Sequence, residues 1–322
     1  MFQVVSPKQK NQKLTEIKRA YDYCESITKE HAKSFYFAAK FLPKNKQKPI
    51  YALYAFCRQI DDEVDEAEIS SGKEAIKAVE NWKRKLGEIF FNAKTNQLRI
   101  TNYELREKSN SQLTTHNSQL ILTAWQDLLK TYNIRQESAL DLMKGVLQDT
   151  HINRYETFDE LYIYCYRVAS TVGLMSSEIF GYSDKKTLKY AESLGIAMQL
   201  TNILRDVKED AAMNRIYLPQ EDLQKFSVSE KQIFAGELNK NFVELMKFEI
   251  ERARNYYAEA EKGISLLEKD TRFTILLATR LYAKILDEIK KQNYNVFTKR
   301  AHTSKRQKIF SVPKIWLEAR KI

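Results

Sequence analysis

The chain has 322 residues, of which 43% are hydrophobic and only 8 are glycines and 5 prolines; few helix-breaking residues over this length favour long helices around a sizeable core. Its 3 widely spaced cysteines and 4 histidines without ligand spacing argue against a zinc site and predict a reducing, cytoplasmic compartment. The formal net charge of +11 favours anionic partners, while the chain shows neither the apolar core of a signal peptide nor a run long enough to span a membrane.

The predicted elements are helices along the whole chain. Apolar residues at helical spacing predict helices over the following stretches: 14–24, 49–70, 79–90, 122–147, 158–180, 185–213, 230–268 and 271–291. Pro49 suits the first turn of its helix, and Gly173 is expected to interrupt the helix over 158–180. Because no series of strands with period-two alternation occurs, the fold class is all-α.

The segment 96–120 differs from its surroundings because it is polar and nearly repetitive. Asn-Ser-Gln-Leu at 110–113 recurs at 117–120. We interpret the segment as a surface insert, disordered or weakly helical, without a catalytic role. No Pro-, Gly- or Ser-rich linker divides the rest of the chain, so a single helical domain is predicted over residues 1–322.

The first acidic stripe consists of Tyr54, Arg58, Asp61 and Asp65, with Asp62 beside it. Steps of three and four residues place the stripe on one face of a helix. Carboxylates four residues apart repel each other by roughly 0.2–0.5 kcal/mol unless something neutralises them. The segment could be a solvated helix face, but the apolar residues that precede it predict a buried helix and favour a cation site.

The second acidic stripe consists of Gln199, Asn202, Asp206 and Asp210, again at steps of three and four, with Arg205 flanking it. Amide and carboxylate oxygens on one helix face offer neutral and anionic ligands to a metal ion. Oxygen-only ligands select a hard cation, most simply Mg²⁺, which shares its coordination shell with water and substrate phosphates. The two stripes therefore predict the two walls of a polyvalent cation site.

Aromatic residues are abundant, with 18 tyrosines and 16 phenylalanines. Aromatic residues at helical spacing are more often part of a core than of a binding site. A long cavity lined with them would nevertheless suit a hydrocarbon tail and a carbocation, whose charge a ring face stabilises. Metal ions above such a cavity would neutralise a diphosphate leaving group while an allylic cation forms in a dry pocket.

Several segments of the chain form a characteristic set: 34–36 (Ser-Phe-Tyr), 51–65, 164–173, 199–210, 215–219 (Arg-Ile-Tyr-Leu-Pro) and 294–297. Together they resemble the squalene/phytoene synthase family, the head-to-head prenyl diphosphate synthases. The likeness covers roughly residues 20 to 300 outside the insert, and the second acidic motif followed by Tyr-Leu-Pro is highly specific.

The resemblance implies an isoprenoid synthase fold, a helical bundle around a central apolar cavity. It implies prenyl diphosphate substrates and Mg²⁺, with Mn²⁺ as an alternative, and no NADPH because no Gly-rich βαβ unit occurs. The residues implied to hold metal are Asp61, Asp62, Asp65, Asn202, Asp206 and Asp210. Those implied to bind substrate are Ser34, Tyr36, Tyr54, Gln199, Asn202, Arg205, Tyr217, Lys299 and Arg300. Those implied to be catalytic are Arg58, Tyr166 and Tyr282.

The family's reaction joins carbon 1 of one prenyl diphosphate to the C2–C3 double bond of another and gives a cyclopropyl intermediate. Segment 168–182 looks like the bacterial presqualene diphosphate synthases of hopanoid pathways, because Ala169-Ser170 stands where phytoene synthases more often carry Ala-Gly. We therefore expect presqualene diphosphate from two farnesyl diphosphates. The alternative is phytoene from two geranylgeranyl diphosphates, in a carotenoid pathway.

Basic residues crowd the C-terminal tail 299–322, where Glu318 is the only acidic residue. Such a tail could bind nucleic acid, an anionic membrane surface or diphosphate groups, or be a solvated helix end. A non-enzymatic basic binding protein would leave both acidic stripes unexplained, because carboxylates repel a polyanion. We therefore expect no nucleic-acid partner, and peripheral contact with a membrane stays open.

Overall fold

The computed structural model of the protein describes residues 7–70, 72–95 and 112–322. Within these ranges the regular elements are helices, accompanied by two isolated β-bridges, 154 with 216 and 182 with 267. The prediction of an all-α protein is confirmed. The chain forms two compact units, one made of residues up to Ala39 with Pro43–Gln136, the other of Lys40–Leu42 with Glu137–Ile322. The single domain over residues 1–322 stays a prediction.

The helices of the first unit are α1 (Pro7–His31), α2 (Lys33–Ala39), α3 (Lys44–Ser70), α4 (Gly72–Thr95) and α5 (Gln112–Leu128). The following helices belong to the second unit: α6 (Gln136–Gln148), α7 (Phe158–Cys165), a π-helix (Tyr166–Ser170), α8 (Thr171–Phe180), α9 (Thr187–Arg205), α10 (Val207–Ala212), α11 (Gln220–Lys225), α12 (Glu230–Phe234), α13 (Lys240–Glu261), a 3₁₀-helix (Ile264–Leu266), α14 (Lys269–Lys291) and α15 (Lys305–Ala319). In the part of the chain with described structure, every helix is too short or too polar to cross a membrane.

Large aromatic side chains form the core of the first unit. Phe56 of α3 packs against Trp125 of α5 with ring centroids 4.3 Å apart and against Trp82 of α4 at 5.7 Å. The buried indole nitrogen of Trp125 donates to the backbone oxygen of Ala52 at 3.2 Å, so its polar atom is satisfied. These contacts fix α3, which carries the first acidic stripe, against α4 and α5.

The predicted surface insert 96–120 needs a new boundary at its C-terminal end. Residues 96–111 lie outside the described ranges, but residues 112–120 form the first turns of α5. Ser118 is buried and donates its hydroxyl to Glu63 Oε1 at 2.8 Å, while Trp82 Nε1 donates to Glu63 Oε2 at 2.7 Å. The polar repeat does not predict the hydrogen bond of Ser118, because this bond joins residues far apart in sequence.

Helix α3 begins at Lys44, one turn earlier than Pro49 predicts. Pro49 therefore lies in the second turn, where it cannot donate a backbone hydrogen bond to the oxygen of Asn45. The hydroxyl of Tyr132 donates to that same oxygen at 3.2 Å. This contact compensates the lost helical bond and explains why the proline is tolerated inside the helix.

Helix α9 is central in the second unit and packs against α8, α13, α14 and the π-helix. Two glycines permit its close approach to neighbouring elements. A Cβ atom on Gly173 of α8 would lie 2.8 Å from the backbone oxygen of Ala191, and one on Gly195 would lie 2.4 Å from the Cα of Ser170. The π-helix therefore lies directly on the backbone of α9.

The stretch predicted as helical over 230–268 is divided into α12 and α13. Gly236 has a φ of 64°, which ends α12 because few other residues adopt this conformation. Asn239 then caps α13, since its side-chain oxygen accepts the N–H of Phe242 at 2.9 Å. The helical period continues on both sides, so apolar spacing alone did not reveal the break.

An ion-pair cluster ties α13 to α11. Arg252 Nη1 lies 2.8 Å from Asp222 Oδ2 and 2.8 Å from Glu249 Oε1, and both carboxyl groups are buried. Burial raises the pKa of Glu249 to about 8, although the Arg252 guanidinium opposes the change. The cluster is structural, because its members bind one another.

Candidate active site

The first acidic stripe lies on α3. The Arg58 guanidinium donates from Nε to Asp62 Oδ2 at 3.0 Å and from Nη1 to Asp61 Oδ2 at 3.4 Å, and its Nη2 also pairs with Asp62. Asp61 and Asp62 are partly exposed, and Asp65 one turn later is exposed. Arg58 offsets part of the repulsion among these carboxylates, which remain within reach of a cation from solvent.

Tyr54 marks the apolar end of the first acidic stripe. Its ring stacks on Phe35 of α2 with centroids 5.7 Å apart, and burial raises the pKa of its hydroxyl to about 12. The hydroxyl is therefore neutral and able to donate at pH 7. Ser34 and Tyr36 flank Phe35 on α2, and Tyr36 donates its hydroxyl to Glu25 Oε1 at 2.8 Å. Stacking thus brings the Ser-Phe-Tyr motif beside Tyr54.

The second acidic stripe begins on α9 and ends on α10, with Asp206 at the junction. This corrects the prediction of one helix over 185–213, because Asp206 has a φ of −106° and a ψ of 14°. Helical hydrogen bonds still run along the stripe: Asp206 N donates to Asn202 O at 2.9 Å, and Asp210 N donates to Asp206 O at 2.8 Å. The four-residue spacing is kept although the helix is broken.

Two guanidinium groups hold Asp206. Arg205 donates to its two carboxylate oxygens at 2.7 and 2.5 Å. Arg300, from the segment between α14 and α15, does the same at 2.7 and 2.9 Å. Neighbouring side chains on a regular helix point about 100° apart, so the break at Asp206 allows the Arg205 pair. Burial alone would raise the pKa of Asp206, but the bonds from Arg205 and Arg300 lower it.

The amide half of the second acidic stripe is oriented by hydrogen bonds. Tyr282 of α14 donates its hydroxyl to Asn202 Oδ1 at 2.6 Å. Asn202 Nδ2 in turn donates to Gln199 Oε1 at 3.1 Å. Tyr282, which the resemblance implies to be catalytic, is therefore in direct contact with the stripe through Asn202.

Asp210 is the carboxyl group of this stripe with the most unfavourable environment for a negative charge. Burial, and then the carboxylates of Asp206 and Asp149, raise its pKa to about 7, against an opposing effect of Arg215. A divalent cation beside Asp210 would remove this penalty. Asp210 is thus the member of the stripe best suited to bind one.

A buried network next to Asp210 was not predicted. Asp149 accepts the hydroxyl of Tyr217 at 2.7 Å and that of Tyr164 at 3.0 Å, and the two rings stack with centroids 5.1 Å apart. Arg215 Nη2 donates to the backbone oxygen of Asp149 at 3.0 Å. Tyr217, expected to bind substrate, is therefore buried with its hydroxyl directed at Asp149. No sequence signal singled out Asp149, a lone acid just after α6.

Tyr166 opens the π-helix that interrupts the helix predicted over 158–180. The interruption lies at 166–170 and not at Gly173, which is inside α8 and permits close packing on α9. Tyr166 is partly buried against the apolar core of the second unit. Short π-helical segments are frequent at functional sites, because they shift the side chains that follow.

Other predicted residues occupy less specific positions. Lys299 is exposed, one residue before the Arg300 that binds Asp206. The residues found in the first unit are Ser34, Tyr36, Tyr54, Arg58, Asp61, Asp62 and Asp65. Those found in the second unit are Tyr166, Gln199, Asn202, Arg205, Asp206, Asp210, Tyr217, Tyr282, Lys299 and Arg300.

Both acidic stripes offer only oxygen ligands, the type that Mg²⁺ prefers. Within 7–70, 72–95 and 112–322, no three or more His, Cys, Asp or Glu side chains are grouped closely enough to hold a metal ion by themselves. A metal ion bound at either stripe would complete its coordination shell with water or phosphate oxygens, as Mg²⁺ commonly does. The oxygen donors fit a metal that also binds water or phosphate, and the partly buried carboxyl of Asp210, with its raised pKa, favours such binding.

Known proteins resemble the chain along nearly its whole length. A family model described as squalene/phytoene synthase matches residues 28–307. A 15-cis-phytoene synthase from Synechocystis sp. is 35% identical over 331 aligned positions, covering 99% of this chain and 91% of the relative. A phytoene synthase from Arthrospira platensis is 36% identical over 314 positions, covering 94% of each protein.

Solved structures share the fold. A dehydrosqualene synthase in complex with ligand superposes with a TM-score of 0.82 at 29% identity, covering 96% of this chain and all (100%) of that one. A squalene synthase from Alicyclobacillus acidocaldarius superposes with a TM-score of 0.72 at 24% identity, covering 87% and 97%. The predicted isoprenoid synthase fold is confirmed.

Proposed function

The chain belongs to the squalene/phytoene synthase family of prenyltransferases, which carry out head-to-head condensation of prenyl diphosphates, and on this premise we propose that it joins two geranylgeranyl diphosphates to form phytoene. The observation that carries the proposal is the identity of 35% to a 15-cis-phytoene synthase over 99% of this chain. The comparisons thus favour the alternative over the presqualene diphosphate that we expected from Ala169-Ser170.

Ser170 has a structural explanation that does not involve substrate. Its side chain is fully buried and donates to the backbone oxygen of Glu192 at 2.7 Å. Its Cα lies where Gly195 permits the close approach of α9, since a Cβ there would lie 2.4 Å from the Cα of Ser170. The identity of residue 170 therefore reflects helix packing, and it is a poor guide to the length of the prenyl chain.

We assign the acidic stripes to diphosphate binding through divalent metal, Mg²⁺ or alternatively Mn²⁺. Asp61, Asp62 and Asp65 would hold metal on α3, and Asn202, Asp206 and Asp210 on α9 and α10. When bound, the metal neutralises the diphosphate and makes it a better leaving group. Tyr282 orients Asn202 through its 2.6 Å hydrogen bond and so acts as a positioning residue in this proposal.

Arginines would bind the diphosphate oxygens. Arg205 and Arg300 converge on Asp206, each with its Nε and Nη2 on the carboxylate, and the other N–H donors of a planar guanidinium group suit phosphate oxygens. A diphosphate beside Asp206 would receive hydrogen bonds from them, and Arg58 would do the same at the first acidic stripe. As the allylic C–O bond breaks, its electron pair leaves with the diphosphate, whose growing negative charge these guanidinium groups stabilise.

Carbon chemistry would take place against apolar and aromatic side chains of the second unit. Carbon 1 of one substrate bonds to the C2–C3 double bond of the other as its diphosphate leaves, and loss of a proton closes the cyclopropane ring. The cyclopropyl intermediate keeps the second diphosphate, whose departure, with rearrangement of the ring and loss of a second proton, gives phytoene. The face of Tyr166 would stabilise the allylic cation. The proton acceptor would be the departing diphosphate or a nearby tyrosine.

A product assay tests the proposal. Purified protein with Mg²⁺ and without NADPH is incubated separately with geranylgeranyl and farnesyl diphosphate, and mass spectrometry identifies the products. We expect a C40 hydrocarbon from geranylgeranyl diphosphate. A C30 product from farnesyl diphosphate alone would favour the second candidate, C30 synthesis, which the 29% identity to a dehydrosqualene synthase supports. Asp210→Asn serves as the inactive control, and no turnover of either substrate by the wild type would refute both candidates.

The product also gives a reason for contact with a membrane. A hydrocarbon of this size partitions into lipid. Peripheral attachment of the enzyme would therefore shorten the path of the product from the active site to the bilayer. Location in the cytoplasm and attachment to a membrane surface are part of this proposal.

A further inference from the structure

Helix α15 has one face anchored on α14. Ser311 and Ile315 are buried in this contact. Lys284 donates to the Ser311 hydroxyl, and Gln307 Nε2 donates to Glu288 Oε1 at 2.7 Å. A capping box at Ser304 starts the helix. The basic C-terminal tail is therefore an ordered helix over most of its length.

The opposite face of α15 is apolar and exposed. This outer face consists of Ile309, Phe310, Pro313, Trp316 and Leu317. At about 100° per residue, its four largest side chains span an arc of about 120° that points away from Ser311 and Ile315. Their exposed fractions are 60% for Ile309, 79% for Phe310, 44% for Trp316 and 57% for Leu317. A face of this kind is unusual on a helix that is already packed on its other side.

Cations surround the outer face of α15. The exposed basic residues along the helix and just beyond it are Lys305, Arg306, Lys314, Arg320 and Lys321. The Arg320 guanidinium lies 4.6 Å from the centroid of the Trp316 ring. Glu318, the only acid in the tail, points the other way and lies 3.6 Å from Arg280 of α14. The outer face thus combines apolar side chains with an excess of positive charge.

We propose that the outer face of α15 docks on the surface of an anionic phospholipid bilayer. Large apolar side chains rimmed by lysine and arginine are the pattern of helices that lie in the membrane interface, and tryptophan prefers that depth. Each basic residue near such a surface strengthens binding by about fivefold. A second copy of this face would bring two sets of cations together, and nucleic acid would leave Phe310 and Leu317 exposed. Charge and apolarity together favour lipid.

Vesicle binding of the full chain tests this proposal without substrate or metal. We expect sedimentation with vesicles of phosphatidylglycerol and phosphatidylcholine in equal parts, and at least tenfold weaker partitioning to phosphatidylcholine alone. Phe310→Ser with Leu317→Ser should lower partitioning at least tenfold. The matched control is Leu14→Ser with Ile76→Ser, two exposed apolar residues on α1 and α4, which should bind like the wild type.

A second set of variants isolates the charges. Neutralising Lys305, Arg306 and Lys314 as glutamines should lower partitioning to anionic vesicles by at least tenfold. The control removes the same net charge elsewhere by glutamine substitutions at the exposed residues Lys18, Lys73 and Lys77. Equal losses in the two triple variants would overturn the proposal, because general attraction would then explain the binding.

Tryptophan fluorescence can be measured on the wild-type chain, so the main result does not depend on the folding of a variant. Of the 3 tryptophans, Trp82 and Trp125 are 1% and 0% exposed, and only Trp316 reaches the surface. Anionic vesicles should shift the emission to the blue, and Trp316→Phe should abolish the shift. An unchanged emission spectrum would overturn the proposal, as would a dimer in solution that Phe310→Ser with Leu317→Ser makes monomeric. Asp206→Asn, which the proposed function predicts to be inactive, should bind vesicles like the wild type. Membrane binding and prenyl transfer are therefore tested independently.

Discussion

Replacing Asp210 by asparagine should stabilise the protein and inactivate it. The partly buried Asp210 carboxyl has a pKa raised from 3.8 to about 7. An acid whose pKa is raised by folding keeps its proton longer in the folded state. Stability is therefore lost as pH rises from about 4 to 7, and the full cost is present above 7. For the change to about 7, this cost is of order 4 kcal/mol, which sets an upper limit on the gain from Asp210→Asn at pH 8.

The measurement is urea unfolding followed by circular dichroism, at pH 5 and pH 8, in EDTA and without diphosphate. We expect the free energy of unfolding of Asp210→Asn to exceed that of the wild type by up to about 4 kcal/mol at pH 8, and by clearly less at pH 5. Glu209→Gln removes the same charge from the adjacent exposed residue and should change stability by no more than about 0.5 kcal/mol.

Activity provides the other half of the test. Because metal binding needs the ionised carboxyl, the wild-type kcat/KM should fall about tenfold per pH unit below 7. Asp210→Asn should lose turnover at every pH, while Glu209→Gln should keep it. If Asp210→Asn is less stable than the wild type at pH 8, or keeps its activity, Asp210 is not a destabilising carboxyl kept for cation binding.

Three other substitutions separate binding from packing. Arg300→Gln should lower kcat/KM by on the order of 10² because a charged donor is lost, with Lys299→Gln as the control; equal kinetics of the two variants would remove Arg300 from the site. Arg252→Met should lower the free energy of unfolding by about 3–5 kcal/mol in urea titration, because it leaves buried carboxyls unpaired, and a loss under 1 kcal/mol would contradict this. Gly195→Ala should cost about 1–3 kcal/mol in the same assay, since its Cβ would lie 2.4 Å from backbone; Gly87→Ala, with 3.9 Å to its nearest neighbour, should not.

The sequence is sufficient to predict the helical class and both acidic stripes, because period and spacing are local properties of the chain. Tyr54, Arg58 and Asp61 follow one another along α3 as expected. Spacing also predicted Asn202 and Asp210 on a common face, and backbone hydrogen bonds keep that spacing across the break at Asp206. Where helix geometry alone sets the relative positions of side chains, the sequence is sufficient to predict them.

Features that depend on distant partners were not predictable in this way. The break at Asp206 accompanies pairing with Arg205 and with Arg300, which lies 94 residues further along the chain. The Asp149 network likewise joins residues 68 positions apart, Asp149 and Tyr217. The π-helix lies against Gly195 of a later helix. Local periodicity contains no information on any of these contacts.

The two carboxylates of the second acidic stripe look alike in sequence, yet the structure makes them opposites. Asp206 is bound by two guanidinium groups, which lower its pKa, whereas the pKa of Asp210, one helical turn away, is raised to about 7. The region therefore presents a carboxyl in need of a cation beside arginines able to bind an anion. A metal ion alone would satisfy Asp210 but be repelled by Arg205 and Arg300, and a diphosphate alone would meet the reverse problem. A metal–diphosphate complex carries both charges in one ligand, so this asymmetry favours substrate and metal binding together over either one alone.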